Sequence, residues 1–339
     1  MTLYKPKFKT VHFYTTKYVA NLTRALSQMF LRELKIMTSG ITCDRIVHAA
    51  DIIRNRENPN ELMFILIPQI LVPDSKSLPD PHKYCIYQLE QLNDKNKITG
   101  DGSVMVKTVF DSVMTELIQN SVAAYDYSAI NVNYYPTKLQ QFIKILVPPI
   151  YIYNQVQQIG MMMPDMMYPI DILFYGGIND RRECILKNIT GRLQTDCGAR
   201  VTIVNRVFGD DLLKLIAKAR VVLNIHYYTN SILETDRIHT ALQFENVIVV
   251  SEYPTQRDEF LPVYKAHPRV LFCDEIIDIV DNTLTEQLIQ TCILALSSAK
   301  IKNNINNKIS NNNNGNNGNN GNINSICAKT LTTQLFNSI

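Results

Sequence analysis

The chain has 339 residues, of which 46% are hydrophobic and 19% charged, with 34 Lys and Arg against 31 Asp and Glu. That much apolar material excludes a wholly disordered or collagen-like chain, and at roughly 100–200 residues per domain the length suggests two domains. A formal net charge of +3 argues against a protein built mainly to grip nucleic acid, which concentrates Lys and Arg.

In chain order, the first half predicts strands at Val11–Thr15, Leu62–Ile67, Tyr84–Tyr87, Ala124–Tyr127 and Phe142–Val147. Helical spacing marks Val19–Ile36, Ile46–Arg54 and Val104–Ser121. A Pro- and Met-rich stretch over 148–169, with Met161-Met162-Met163-Pro164, reads as a connector whose methionines are packing filler rather than metal ligands.

The second half alternates cleanly. Strands are predicted at Asp171–Tyr175, Arg200–Val204, Val221–Ile225, Val247–Val250 and Val270–Phe272. Helices are predicted at Asn179–Leu193, Gly209–Ala219, Ile232–Phe244, Ile276–Val280 and Thr285–Ser298. Continuous apolar strands separated by helices indicate parallel sheets covered on both faces. The expected fold is therefore α/β, with two doubly wound Rossmann-like domains facing a cleft. The expected boundaries are 1–150, a linker over 151–169, a second domain over 170–302, and a tail over 303–339.

From Asn303 to Asn324 the chain is almost entirely Asn, Gly, Ile, Lys and Ser, and is expected to be disordered because it has little apolar surface to offset ordering. Ile326–Leu335 has the spacing of a short helix. Polar Asn tracts often reflect AT-rich coding sequence, which points to a source such as a giant DNA virus or an amoeba.

The longest apolar runs, Met63–Ile67 and Ile145–Val147, end at prolines far short of the roughly 20 residues a membrane helix needs. The first residues show no apolar core followed by a small-residue cleavage site, so no signal peptide is expected. The seven cysteines, Cys43, Cys85, Cys184, Cys197, Cys273, Cys292 and Cys327, form no CxxC pair and suggest reduced, mostly buried thiols. The Asn-x-Thr matches at Asn21 and Asn188 are then chance. The expected location is cytoplasmic, meaning host cytoplasm or virion for a viral source.

Ligands of doubly wound sheets sit beyond the carboxyl ends of the strands. Three clusters fall there. Gly176-Gly177 follows a strand and precedes a helix carrying Arg181-Arg182, where backbone N–H groups and a first-turn arginine suit an anion. No G-x-G-x-x-G dinucleotide fingerprint is present. A second strand delivers Asn224 and His226 to its edge, and a helix starting near Ser231 puts Glu234 and Arg237, i and i+3, on one face. Ser251-Glu252 follows a third strand. Taken singly, His226 reads as a hydrogen-bonded histidine, Glu234–Arg237 as a surface ion pair and Ser251-Glu252 as a capping turn. Their joint placement favours a site.

The run from Ile172 to Glu252 resembles the donor-binding domain of nucleotide-sugar-dependent glycosyltransferases of the GT-B fold. It is most similar to the group that includes spore-maturation-protein-like and giant-virus glycosyltransferases. The pieces that carry the resemblance are 174–182 (FYGGINDRR), 222–228 (VLNIHYY), 232–238 (ILETDRI) and 249–252 (VVSE). Ile86–Gln91 and Tyr125–Asn131 resemble that group's acceptor-side domain.

The resemblance implies transfer of a sugar from a nucleotide-diphosphate sugar to a glycan or protein acceptor. Gly176, Gly177, Arg181, Arg182, Asn224, Arg237, Ser251 and Glu252 would bind the donor, with His226 and Glu234 as catalytic residues. It implies no permanently bound cofactor and no essential metal, since these enzymes generally neutralise the leaving diphosphate with helix N-termini and basic side chains. Two departures stand out: Thr240 occupies the place of a ribose-binding glutamate, and Glu245-Asn246 replaces a glycine. Rival readings are a non-catalytic carbohydrate-binding or scaffolding protein that kept the fold, and a sugar-nucleotide epimerase.

Overall fold

The computed structural model describes residues 9–15, 26–27, 37–42, 61–66, 84–92, 97–100, 103–146, 168–256, 261–273 and 283–310. The chain divides after Pro149 into two units, and each is built on a parallel sheet.

In chain order the first unit has β1 (Thr10–Thr15), β2 (Met37–Thr42), β3 (Glu61–Leu66) and β4 (Tyr84–Gln88). A hairpin of β5 (Lys97–Gly100) and β6 (Ser103–Val106) leads into α1 (Lys107–Asn120), followed by β7 (Ala123–Asp126), α2 (Ala129–Val132), α3 (Thr137–Gln140) and β8 (Ile143–Ile145). Six strands form one sheet in the order β2-β1-β3-β4-β7-β8, every pairing parallel. Both faces are buried. Tyr14, Met63, Ile65, Tyr84, Ile86 and Ala124 pack on Val113, Met114, Leu117 and Ile118 of α1. The opposite face holds an aromatic row in which Phe64 lies 5.7 Å from Phe13 and stacks at 5.8 Å on Tyr125.

The second unit has β9 (Ile170–Tyr175), α4 (Asp180–Cys197), β10 (Val201–Val204), α5 (Gly209–Ala217), β11 (Ala219–Asn224), α6 (Thr235–Leu242), β12 (Ile248–Ser251), α7 (Leu261–Lys265), β13 (Val270–Phe272) and α8 (Leu284–Ser310). Its five-stranded sheet runs β10-β9-β11-β12-β13, again all parallel. Alternation along each strand splits the core. Leu173, Tyr175, Val222 and Val249 face α5 and α6 through Leu212, Leu213, Ile216, Ile238 and Leu242. Ile172, Phe174, Val221, Leu223 and Val250 face α4 and α8 through Ile185, Leu186, Ile189, Leu288, Ile289 and Cys292. Helices on both faces make this unit doubly wound, as expected.

Besides β5 and the short helices α2, α3 and α7, which the sequence reading lacks, four elements differ from it. β2, MTSGIT, has no apolar run to reveal it and forms by pairing with β1 at the sheet edge. Val104–Val106, expected to open a helix, is the second arm of the antiparallel β5–β6 hairpin. α6 starts at Thr235 rather than near Ser231. The last helix runs on to Ser310, so residues 303–310 are helical instead of disordered. That stretch contains no Gly or Pro, and its Asn residues cost only fractions of a kcal/mol (up to ~0.7) each once a helix is already propagating.

The expected helices over 19–36 (Leu26 and Ser27 apart), 46–54 and 276–280, the connector over 148–167 and the tail beyond 310 lie outside the described residues. Among the described residues no helix is long and apolar enough to cross a membrane. Cys85, Cys273 and Cys292 are buried free thiols, whereas Cys184 and Cys197 are exposed on α4.

Because α8 closes one face of the second sheet with Leu288 fully buried, Leu288→Ala is expected to destabilise the unit by about 2–5 kcal/mol. Urea unfolding followed by circular dichroism measures this as a lower midpoint with secondary structure retained in water.

Candidate functional site

The order β10-β9-β11 sets a switch point: the chain leaves β9 for β10 on one side and crosses back to β11 on the other. In open α/β sheets ligands bind beyond the carboxyl ends of the strands at such a point, here β9 and β11. All ten residues expected at the site converge on this edge.

β9 ends in Gly176, whose φ of +131° is open to glycine but strained for other residues. A Cβ there would lie 2.7 Å from Arg237 Nη2, so the guanidinium occupies the space a side chain would take. The Gly176 N–H donates to Val204 O (3.2 Å) and is therefore spent on the protein, contrary to the expected role of offering it to an anion. Gly177 is exposed. Asn179 caps α4, its Oδ1 accepting from Arg182 N at 3.0 Å, while its Nδ2 donates to Tyr227 O at 2.8 Å.

Arg182 is only 2% exposed. Its Nε and Nη2 donate to Ile225 O (2.9 and 2.6 Å) and its Nη1 to Gly177 O (2.8 Å). Nη2 also reaches both Glu234 carboxylate oxygens, at 2.8 and 3.0 Å. Burial pushes the guanidinium down to about 10, opposed by Glu234. Arg237 pairs with the same carboxylate at 2.9 Å, and Tyr227 N donates to Glu234 Oε1 at 2.8 Å. Burial alone would raise the Glu234 carboxyl, but Arg237, Arg182 and the Tyr227 N–H hold it down at about 2. The pair that taken singly reads as a surface ion pair is thus part of a partly buried Arg–Glu–Arg cluster.

Arg181 is half-buried. It donates to His226 O at 2.7 Å and pairs with Glu252 Oε1. Glu252 Oε2 accepts from His226 N at 2.9 Å, and burial raises this carboxyl despite Arg181. His226 is fully buried. Its Nδ1 shares a 2.6 Å hydrogen bond with the Ser231 hydroxyl, and burial, helped by Arg237, Arg181 and Arg182, lowers the imidazole to about 4. Asn224 Nδ2 donates to Ser251 Oγ at 2.9 Å, which donates to Glu252 O. Three buried polar atoms at this edge have no protein partner among the described residues: Asn224 Oδ1, His226 Nε2 and Arg237 Nη1.

Sequence reasoning passed over two residues. Ser231 was taken for a helix start, but its hydroxyl serves His226, its N–H donates to Thr255 Oγ1 (2.7 Å) and its carbonyl accepts from Gln256 N (3.0 Å). These bonds hold 231–234 in a loop and delay α6. Asn179 was read only as a helical residue, although an Asn just before an acidic first turn is a capping signal. Thr240, at the position where the resemblance expects a glutamate, is buried on α6.

In the first unit, Ile86–Gln91 and Tyr125–Asn131, the stretches that resemble an acceptor-side domain, meet at the carboxyl ends of β4 and β7. Buried Asp126 accepts from Ser128 N (2.9 Å), Asn131 Nδ2 (3.1 Å) and Tyr135 OH (3.1 Å), and burial pushes it up to about 8. Asn131 and Gln88 both donate to Glu90 O. Among the described residues no group of three or more His, Cys, Asp and Glu is placed to hold a metal.

No protein-family model and no curated protein matches the chain. Among solved structures it is similar to HepE from Anabaena in complex with UDP and glucose, with 8% identity, a TM-score of 0.52, and coverage of 98% of this chain and 99% of that one. A UDP-forming α,α-trehalose-phosphate synthase from Burkholderia xenovorans matches at 10% identity and a TM-score of 0.49, covering 98% and 99%. UDP-GlcNAc 2-epimerase from Methanocaldococcus jannaschii gives 12% and 0.38, covering 85% and 92%. At these identities the HepE likeness establishes the fold, two Rossmann-like units in the GT-B manner.

Gly176→Ala is expected to force Arg237 from its seat and to cost stability by more than about 1 kcal/mol, since left-handed backbone and clash add; thermal melting reads the loss. Acid sensitivity offers a second check. The folded His226 pKa of about 4 lies below the ordinary 6.5, so the unfolded chain binds the extra proton between these values. The contribution of His226 is full above pH 6.5 and is lost as pH falls toward 4, on the order of 3 kcal/mol in all. His226→Asn is expected to flatten the fall in urea midpoint across that window relative to wild type.

Proposed function

We propose that the chain is a glycosyltransferase that takes a nucleotide-diphosphate sugar at the β9–β11 edge and passes the sugar to a glycan or protein acceptor. The observation that carries this reading is the set of unpartnered buried atoms Asn224 Oδ1, His226 Nε2 and Arg237 Nη1. Buried polar atoms are normally paired, and three of them at one sheet edge suit a ligand rich in hydroxyl and phosphate groups. The HepE structure, with UDP and glucose bound on the same fold, supports it.

In this reading Arg181 and Arg237 carry the negative charge that grows on the leaving diphosphate, without a metal. Asn224 and His226 orient hydroxyls. The imidazole is neutral at pH 7, so Nε2 donates or accepts according to the tautomer that Ser231 selects. Arg182 and Glu234 spend their polar atoms on one another, on the backbone and, for Glu234, on Arg237, so they act as positioning residues. Ser251 and Glu252 fix Asn224, Arg181 and the His226 backbone, while Gly176 and Gly177 leave room. The acceptor is read onto the first unit, where Asp126 and Asn131 order the Glu90 loop. Membership of the spore-maturation-like and giant-virus group, and a reducing cytoplasmic compartment, complete the proposal.

A second reading, a non-catalytic descendant of the fold, is favoured by Thr240 in place of the glutamate. Calorimetry with ADP, CDP, GDP, dTDP and UDP and their hexose conjugates tests both. Tight binding of one nucleotide, weakened about 10- to 100-fold by Arg237→Met through loss of a charge-assisted contact, is expected. Release of nucleoside diphosphate from its conjugate then separates enzyme from binder. Absence of binding by folded protein to every member of the panel would overturn the transferase reading.

A further inference from the structure

Tyr227 is the first residue after His226 and stands at the rim of the site. Both of its backbone polar groups are held by side chains: the N–H donates to Glu234 Oε1 and the carbonyl accepts from Asn179 Nδ2, each at 2.8 Å. Asn179 is the cap of α4 and Glu234 the residue that precedes α6. Tyr227 therefore bridges the starts of the two helices that flank the switch point.

The ring is fixed as well. The Arg182 guanidinium lies 5.1 Å from its centroid, and the same guanidinium lies 5.5 Å from the Phe174 ring. The Tyr228 ring meets it edge-on at 5.0 Å and 78°. Yet Tyr227 remains 38% exposed. Among the described Phe and Tyr residues of this unit Tyr227 alone is exposed, and an exposed ring normally keeps its freedom. Here the backbone is held at both polar groups and two neighbours pack on the ring, while part of the residue stays in water. Beside it the exposed Gly177 leaves the approach open, since a Cβ there would sit 3.6 Å from Tyr227 Cε2.

We infer that Tyr227 is a preorganised stacking platform for a ring of the donor, a nucleobase or a hexose. The inference rests on the nucleotide-sugar reading of the site and adds to it a contact made through an aromatic face. Ordering the platform in advance removes an entropy cost from binding. Truncating an aromatic side chain on which a base stacks weakens binding roughly 5- to 150-fold. The Arg182 cation beneath the ring cannot follow a ligand, because its own bonds tie it to Ile225, Gly177 and Glu234.

The test is calorimetry on wild type, Tyr227→Phe and Tyr227→Leu with three probes: pyrophosphate, the nucleoside diphosphate that binds wild type best, and its hexose conjugate. A base on the platform makes Tyr227→Leu about tenfold weaker for the nucleoside diphosphate, with pyrophosphate unchanged. A hexose on the platform leaves the nucleoside diphosphate unchanged and removes the extra affinity of the conjugate. In either case Tyr227→Phe stays within about twofold of wild type, because the ring is kept. Wild-type affinity of Tyr227→Leu for both nucleotide probes, equal weakening of Tyr227→Phe and Tyr227→Leu, or equal loss of pyrophosphate would overturn the platform while leaving the nucleotide-sugar reading in place. Failure of wild type to bind any nucleotide would overturn the parent reading and the platform with it.

Discussion

Arg182 brings a guanidinium into a place that water scarcely reaches, and removing a charge from water costs several kcal/mol unless excellent geometry offsets it. The offset comes from three separate parts of the chain: the Ile225 carbonyl at the end of β11, the Gly177 carbonyl after β9 and the Glu234 carboxylate before α6. No one of these would hold the charge alone. Together they fix the two loops that border the switch point, and so decide where Arg237, His226 and Tyr227 stand. A methionine at this position would fill similar volume but leave Glu234 half-paired and two strand-end carbonyls without donors, the costlier half of any broken buried pair.

Charge balance gives the edge a second property. Glu234 and Glu252 each answer an arginine, Arg237 sharing the first with Arg182 and Arg181 holding the second. The arginines are thus organised before any ligand arrives, with carboxylates in the place of free counter-ions. Preorganised dipoles and charges need little rearrangement when charge develops on a bound group, which is where electrostatic stabilisation is most effective.

The second sheet was legible in the sequence because buried parallel strands are written as unbroken apolar runs; FILVY-type segments such as Ile172–Tyr175 and Val221–Leu223 leave little choice. Edge strand β2 was not, since Thr, Ser and Gly carry no pattern and only its pairing with β1 makes it a strand. That the ten expected residues would meet at one sheet edge was legible, because strand ends can be read from apolar runs. Their division of labour was not. That Arg182 faces Glu234, 52 positions away, while Arg181 turns to Glu252, depends on a first-turn rotation of α4 set by the Asn179 cap. The start of α6 was misplaced for a related reason: Ser231 looks like a cap until His226 and Thr255 claim its polar groups.

The place of α8 in chain order bears on how the protein is made. The strands β9, β11 and β12 leave one face whose cover includes Leu288, Ile289, Cys292 and Leu296, all from the last helix. A nascent chain that has emerged only as far as β13 therefore carries an uncovered apolar sheet face, the kind of surface that invites aggregation or a chaperone. Premature stops between residues 256 and 284 would remove that cover while leaving the whole candidate site encoded. Such products would expose that face, so β9 to α8 forms one folding unit although the candidate site ends at Glu252.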